Sequence, residues 1–390
     1  MKRLLLISFD AVGDIEFDTL LNYPNFTRLA ERSAVTRQVQ SIFLSNTYPI
    51  HTSVATGVMP FQHGVTSNNE PFPIEHPVWI TDERRIRTKT LWQAAAQRNM
   101  RVAAVMWPVT AHSKTIKYNV PEVLARPGKS QIITSLKAGS KALQIKLLLR
   151  HRKLLNGIRQ PALDSFTTAC MVDILQEKQP DFALVHLTCY DTLCHTYGKN
   201  SKELNIAYES LDRNLGALLK AAGEDMQVIL FSDHSQINVH KILDPNRLLY
   251  ETGLLIKEEK AWKPGETGCF VECCGGSAFF HPGTLPEEKV TEIAEQIQQY
   301  EGFNRFLTEE EMQVCGIQKA TFGFCALPGY CYDFASKGEN ANHGYPLDYN
   351  DYKVFYLAKG EEVAAGTVGQ GGSLLDIAPL AAKMLDLDMM

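Results

Sequence analysis

Leu4-Leu5-Leu6-Ile7-Ser8-Phe9-Asp10 follows a short basic lead of Met1-Lys2-Arg3. An apolar run of this length, interrupted only by Ser8 and closed by a carboxylate, suits a strand covered on both faces of a parallel sheet. It imitates a secretory leader, but the run is too short and ends in an acid. It therefore reads as a first strand, and the chain is expected to be cytoplasmic, with no signal peptide. Similar short runs at 102–106, 182–187, 228–231 and 354–357 alternate with helical patterns at 26–31, 90–98, 163–177, 202–222, 286–300 and 374–385. That alternation predicts an α/β fold: a doubly wound, mostly parallel sheet with helices on both faces. In such sheets ligands gather beyond the carboxyl ends of the strands.

Composition agrees with an ordinary globular protein. Of 390 residues, 45% are apolar, 21% charged and 9% aromatic, which excludes a disordered chain. The 26 Gly and 18 Pro follow no period, which excludes a fibrous one. A net charge of 39 − 44 = −5 argues against a nucleic-acid duplex as partner. Nine Cys without a C-x-x-C pair read as reduced, buried thiols. No apolar run approaches about 18 residues, so no transmembrane segment is expected.

Two stretches interrupt the alternation. Residues 114–160 hold eleven Lys/Arg and a single acid, Glu122, with a basic amphipathic helix over 142–155. That helix reads as a solvated, packed insertion, or else as a patch attracting an anionic substrate or a membrane surface. Residues 241–334 read as a smaller α+β cap. The expected organisation is core 1–113, basic helical insertion 114–162, core 163–240, cap 241–334 and core 335–390.

The residues able to do chemistry cluster at predicted strand ends. Asp10 closes the first strand. Asp191 and His195 follow the 182–187 strand at the i, i+4 spacing of one helix face. Asp233-His234 directly follow the 228–231 strand, and His343 sits in the loop Asn342-His343-Gly344. Three carboxylates and three imidazoles suit zinc, with manganese or iron as alternatives, and six ligands fit two ions better than one. Thr47-Tyr48-Pro49, ahead of a helical stretch, places a hydroxyl at a helix N-terminus, where backbone N–H groups favour an anion.

Taken in order, Asp10, Asn46-Thr47-Tyr48-Pro49, Gly57-x-x-Pro60-x-x-His63-Gly64, Asp191-x-x-x-His195, Asp233-His234 and Asn342-His343-Gly344 resemble the nucleotide pyrophosphatase/phosphodiesterase family of the alkaline phosphatase superfamily. The resemblance covers 4–69, 182–234 and 343 onward, not the basic insertion. It implies an alkaline-phosphatase-like fold with two Zn2+ (Mn2+ as the alternative) and Thr47 as nucleophile. Asp10, Thr47, Asp233 and His234 would hold one ion, and Asp191, His195 and His343 the other. Asn68 matches the family's phosphate-binding asparagine. Ala11 stands where the family often has Gly, a departure that bears on substrate subfamily.

The expected activity is cleavage of phosphodiester or pyrophosphate bonds in a small anionic nucleotide-type substrate, through a phosphothreonine. Residues 41–57 carry no charge, which favours a diester over a monoester dianion. Phosphonoacetate-hydrolase-like carbon–phosphorus cleavage and phosphomonoester hydrolysis are the alternatives, and a non-catalytic metal-binding module is the competing class.

Overall fold

The structure, a computed structural model, describes residues 2–71, 78–258, 261–317, 319–333 and 338–388. Its centre is an eight-stranded sheet built from β1 (Leu4–Phe9), β2 (Ala34–Val39), β3 (Val102–Val105), β4 (Tyr118–Val120), β5 (Phe182–Leu187), β6 (Gln227–Ser232), β7 (Val354–Lys359) and β8 (Val368–Gln370). The order is β8-β2-β7-β6-β1-β5-β3-β4, with β7 antiparallel to both neighbours and the other pairings parallel. β1, β5 and β6 are buried along their whole length. Successive side chains leave opposite faces. Leu5, Ile7 and Phe9 pack with helices Ala162–Lys178 and Leu204–Ala222, while Leu4 and Leu6 pack with Thr47–Thr56 and Ile377–Leu385. The doubly wound core expected from the sequence is present.

Three strands were not expected. β2 and β8 are partly exposed and polar (Ala-Val-Thr-Arg-Gln-Val and Val-Gly-Gln), so neither forms an apolar run. β4 lies inside the stretch expected to be a helical insertion and adds an edge strand to the core sheet. After it come helices Gln131–Ala138 and Lys141–His151. The second packs on Ala162–Lys178, with Lys146 and Arg150 paired to Glu177, and Arg150 and His151 to Asp173. Part of the basic charge is therefore spent on a neighbouring helix. Among the described residues no helix is long and apolar enough to cross a membrane. All nine cysteines are free.

The cap contains a four-stranded antiparallel sheet, Phe270–Cys274, Ser277–His281, Phe322–Ala326 and Phe303–Phe306 in spatial order, with helix Glu287–Gln298. Its expected boundary at 334/335 lies outside the described residues. The cap touches the core where the hairpin turn at Gly275-Gly276 meets the His343-Gly344 loop: Gly276 N–H donates to His343 O at 2.8 Å. Gly344 has φ +82, and a Cβ there would lie 1.8 Å from Cys274 O. Only glycine fits so close a backbone approach.

Gly344→Ala is expected to lower stability by about 2 kcal/mol or more, read as a lower urea midpoint. An unchanged midpoint would show that the loop tolerates a side chain.

Candidate active site

The register of the central strands assembles the site. Phe9 lies opposite both Leu187 of β5 and Ser232 of β6. Asp10 and Asp233 therefore leave adjacent strands at one level, and the helix after β5, Cys189–Tyr197, starts at the same level with Asp191 in its first turn. Helix Thr47–Thr56 brings Thr47 to the same place, its Oγ1 lying 3.3 Å from His234 Nε2. The loop clamped by the cap supplies His343, whose ring centroid is 4.2 Å from that of His234 and 5.3 Å from that of His195.

Each imidazole is held by its Nδ1. His195 Nδ1–H donates to Ala341 O at 2.8 Å, His343 Nδ1–H to Asn46 Oδ1 at 2.9 Å and His234 Nδ1–H to Ser235 O at 3.2 Å. Nε2 is thereby left as the inward atom. His195 Nε2 is 3.2 Å from Asp191 Oδ1, and His234 Nε2 is 3.5 Å from both Asp10 Oδ1 and Asp233 Oδ2. Tying one ring nitrogen to an oxygen while presenting the other is how metal-binding histidines are oriented.

Among the described residues, three groups have ligand atoms within 4.8 Å of one another: His51/His186/Asp233, Asp10/Asp233/His234 and Asp191/His234/His343. His234 belongs to the last two of these groups, so the two expected ion positions adjoin each other. Asp10 Oδ1 and Asp233 Oδ2 are buried without a hydrogen-bond partner. Buried carboxylate oxygens left unpaired are costly. This donor set, with two unsatisfied oxygens among imidazole nitrogens, fits divalent cations.

Electrostatics follow from burial and crowding. Burial, then the charges of Asp233 and Asp191, push Asp10 well above the usual carboxylate range. Burial pushes Asp233 up to about 6. Asp191 goes the other way: burial alone would raise it, but the adjacent His195 holds it well below its usual value. Burial brings His234 down to about 4 and His343 to about 3, keeping both neutral with lone pairs available.

A cavity of about 610 Å³ opens over this centre, lined by Asp10, Thr47, Asn68, Asp191, His195 and His343 among others. Asn68 Oδ1 accepts the Tyr48 N–H at 2.8 Å, which leaves the Asn68 amide hydrogens for a ligand beside Thr47. All eight residues singled out from the sequence are thus brought to one place.

Sequence reasoning missed the residues behind them. Gln236 Nε2 donates to Asp191 Oδ1 at 2.5 Å, and Glu339 Oε2 is 3.4 Å from His195 Nδ1. His186, fully buried on β5, has Nε2 3.1 Å from Asp10 Oδ2 and Nδ1 3.4 Å from Glu122 Oε2. The structure thus sets a strand histidine against a site carboxylate. The available signal was Glu122, the lone acid of a basic stretch. His51 and His63 do have structural partners. His51 bonds Thr47 O and Ser8 Oγ, while His63 Nδ1 accepts from Val65 N–H and its Nε2 meets Ser53 Oγ.

A family model described as type I phosphodiesterase / nucleotide pyrophosphatase matches residues 4–315. The chain belongs to that family. Among curated relatives, the bis(5′-adenosyl)-triphosphatase of Bos taurus is 25% identical over 284 residues, covering 63% of this chain and 51% of the relative. Venom phosphodiesterase 2 of Crotalus adamanteus is 23% identical over 251 residues, covering 59% and 26%. The chain thus spans about half the length of the first and about a quarter of the second. Human ectonucleotide pyrophosphatase/phosphodiesterase family member 5 is 21% identical over 409 residues, covering 100% of this chain and 75% of the relative. The solved structure of the human member 5 matches with a TM-score of 0.73 at 16% identity, covering 100% of this chain and 96% of that one. At that identity the likeness concerns the fold.

Because Asp233 is raised to about 6 and Asp10 well above its usual range, a bound cation must displace a proton from Asp233 below about pH 6 and compete with protons at Asp10 as well. Zinc affinity, measured by competition with a chelator, is expected to fall as pH drops through that range, by roughly tenfold per pH unit for each proton displaced. An affinity flat between about pH 5 and 8 would contradict this.

Proposed function

We propose that the chain hydrolyses phosphodiester or pyrophosphate bonds of nucleotide-type substrates, with Thr47 as nucleophile and two divalent cations, zinc by preference. The carrying observation is the convergence of Thr47 Oγ1 with three imidazoles, held through Nδ1, beside the carboxylates of Asp10, Asp191 and Asp233. Asp10, Thr47, Asp233 and His234 would hold one cation, and Asp191, His195 and His343 the other. Such a pair, when bound, supplies Lewis-acid activation of a hydroxyl and neutralisation of phosphate charge.

The chain does the rest. Thr47 Oγ1 sits at the first position of a ten-residue helix, whose N-terminal dipole favours negative charge. After losing its proton, Thr47 Oγ1 attacks phosphorus and the alcohol or phosphate on the far side departs with the bonding pair. Water then cleaves the phosphothreonine, and Thr47 regains its proton. Asn68, its Oδ1 anchored by Tyr48 N–H, donates from Nδ2 to a non-bridging oxygen as charge builds there.

The described residues lining the cavity include no Lys or Arg. A monoester dianion lacks an extra countercharge here, so a singly charged diester is the better match. The relatives' activities, a triphosphatase and phosphodiesterases, support the same class. One solved structure is an inactive threonine-to-alanine form of murine ectonucleotide pyrophosphatase/phosphodiesterase 5 in complex with AMP.

Thr47→Ala is expected to cut hydrolysis of p-nitrophenyl thymidine phosphate by at least about a thousandfold, with a second cation still bound at Asp191, His195 and His343. Activity near that of the unaltered protein would remove Thr47 from the mechanism. Asn68→Ala should cost about a hundredfold in kcat with zinc content unchanged; a change confined to KM would make Asn68 a ground-state contact instead.

A further inference from the structure

Charge is spread very unevenly along this chain. Residues 123–163 hold nine Lys/Arg and no Asp or Glu, which leaves the rest of the chain at −5 − 9 = −14. Of the nine, Lys146 and Arg150 are paired to Glu177 and Asp173. Lys141, Arg152, Lys153 and Arg159 are exposed and make no ion pair among the described residues. The same holds for Arg126, Lys129 and Lys137, which line a second cavity of about 550 Å³ with no acid among its described residues.

Apolar groups accompany these cations. Of sixteen large apolar side chains exposed among the described residues, seven fall in this stretch, far above its share of the chain. A helix packed on one side normally turns polar groups outward. Helix Lys141–His151 buries Gln144 and Leu147, yet it leaves Ile145 and Leu149 39% and 66% exposed at the i, i+4 spacing of one outer stripe. Ile133 and Leu154 are exposed as well. Leu124, Ile132 and Ile158 are exposed and also line the cavity over Thr47, so they carry the same character to its mouth.

This mixture selects among partners. A second copy docked about a two-fold axis would set cations against cations. A nucleic-acid strand would find countercharge but no ring to stack on, since 123–163 contain no Phe, Tyr or Trp. An anionic lipid surface meets both features: its acyl boundary takes up the aliphatic side chains and its headgroups neutralise the cations.

We propose that the face formed by residues 124–159 docks on an anionic lipid surface, with the mouth of the cavity over Thr47 turned toward it. The acidic remainder of the chain is repelled by that surface, which favours the same orientation. The proposal concerns attachment and leaves the nucleotide-type substrate as it stands.

The test is cosedimentation of the zinc-loaded protein, freed of excess zinc, with vesicles of phosphatidylcholine alone or with about 30% phosphatidylserine. Binding is expected to the mixed vesicles only and should weaken as salt rises. The triple change Lys141→Glu, Arg152→Glu and Lys153→Glu should weaken it by at least about a hundredfold, at about fivefold or ~1 kcal/mol per cation lost. The double change Ile133→Ser and Leu149→Ser should weaken it by about tenfold or more. All five side chains are exposed and none lines the cavity over Thr47, so folding, checked by near-UV circular dichroism, should be unaltered. Absent binding, or equal binding to the two kinds of vesicle, overturns the proposal. So does binding that is lost with the cations but untouched by the serine changes, which would mark a site for polyanions such as nucleic acid. A dimer in vesicle-free solution that the serine changes dissociate would assign the face to a second copy and overturn it too.

Discussion

Three carboxylates are forced together at the end of a buried sheet, and much else follows from that constraint. Asp10 and Asp233 leave neighbouring parallel strands in matched register, and Asp191 enters from the helix after the strand on the other side. Their mutual repulsion and burial drive Asp10 and Asp233 toward the protonated state. Compensating positive charge must be supplied, and isolated water-poor carboxylates cannot supply it themselves. Neutral His234 and His343, with their Nε2 atoms aimed inward, offer the remaining ligands for cations that would relieve it.

The surroundings keep this arrangement from relaxing. Ala341 O, Ser235 O and Asn46 Oδ1 set the three imidazole orientations, and the glycine clamp between cap and core fixes the loop that carries His343. His51, bonded to Thr47 O and Ser8 Oγ, ties the nucleophile-bearing helix to β1. The candidate nucleophile, its phosphate-facing asparagine and the ligand set therefore belong to one rigid sheet end, and the cavity opens beside them.

Much of this was legible in the sequence for a physical reason. Strands buried on both faces must be apolar runs, so their ends, and the polar residues placed there, stand out. Asp10 and Asp233-His234 are visible on that ground, and Asp191 with His195 by helical spacing. Thr47 is visible through the uncharged helix start that follows it. The strands near the sheet's edges were not legible, because β2 and β4 are half-solvated, β8 is exposed, and all three carry polar residues. Nor were Gln236, Glu339 and His186, whose roles exist only once distant segments meet. The basic insertion was misleading in a different way. Its charge count concealed that Lys146 and Arg150 turn to Asp173 and Glu177, while Leu136, Leu147, Leu148 and Leu155 line the cavity.

The most direct measurement is anomalous diffraction at the zinc edge from crystals grown with zinc. The account predicts two strong peaks beside Thr47 Oγ1, one among Asp10, Asp233 and His234 and the other among Asp191, His195 and His343. Peaks confined to surface histidines, with the sheet end carrying no anomalous density, would contradict it.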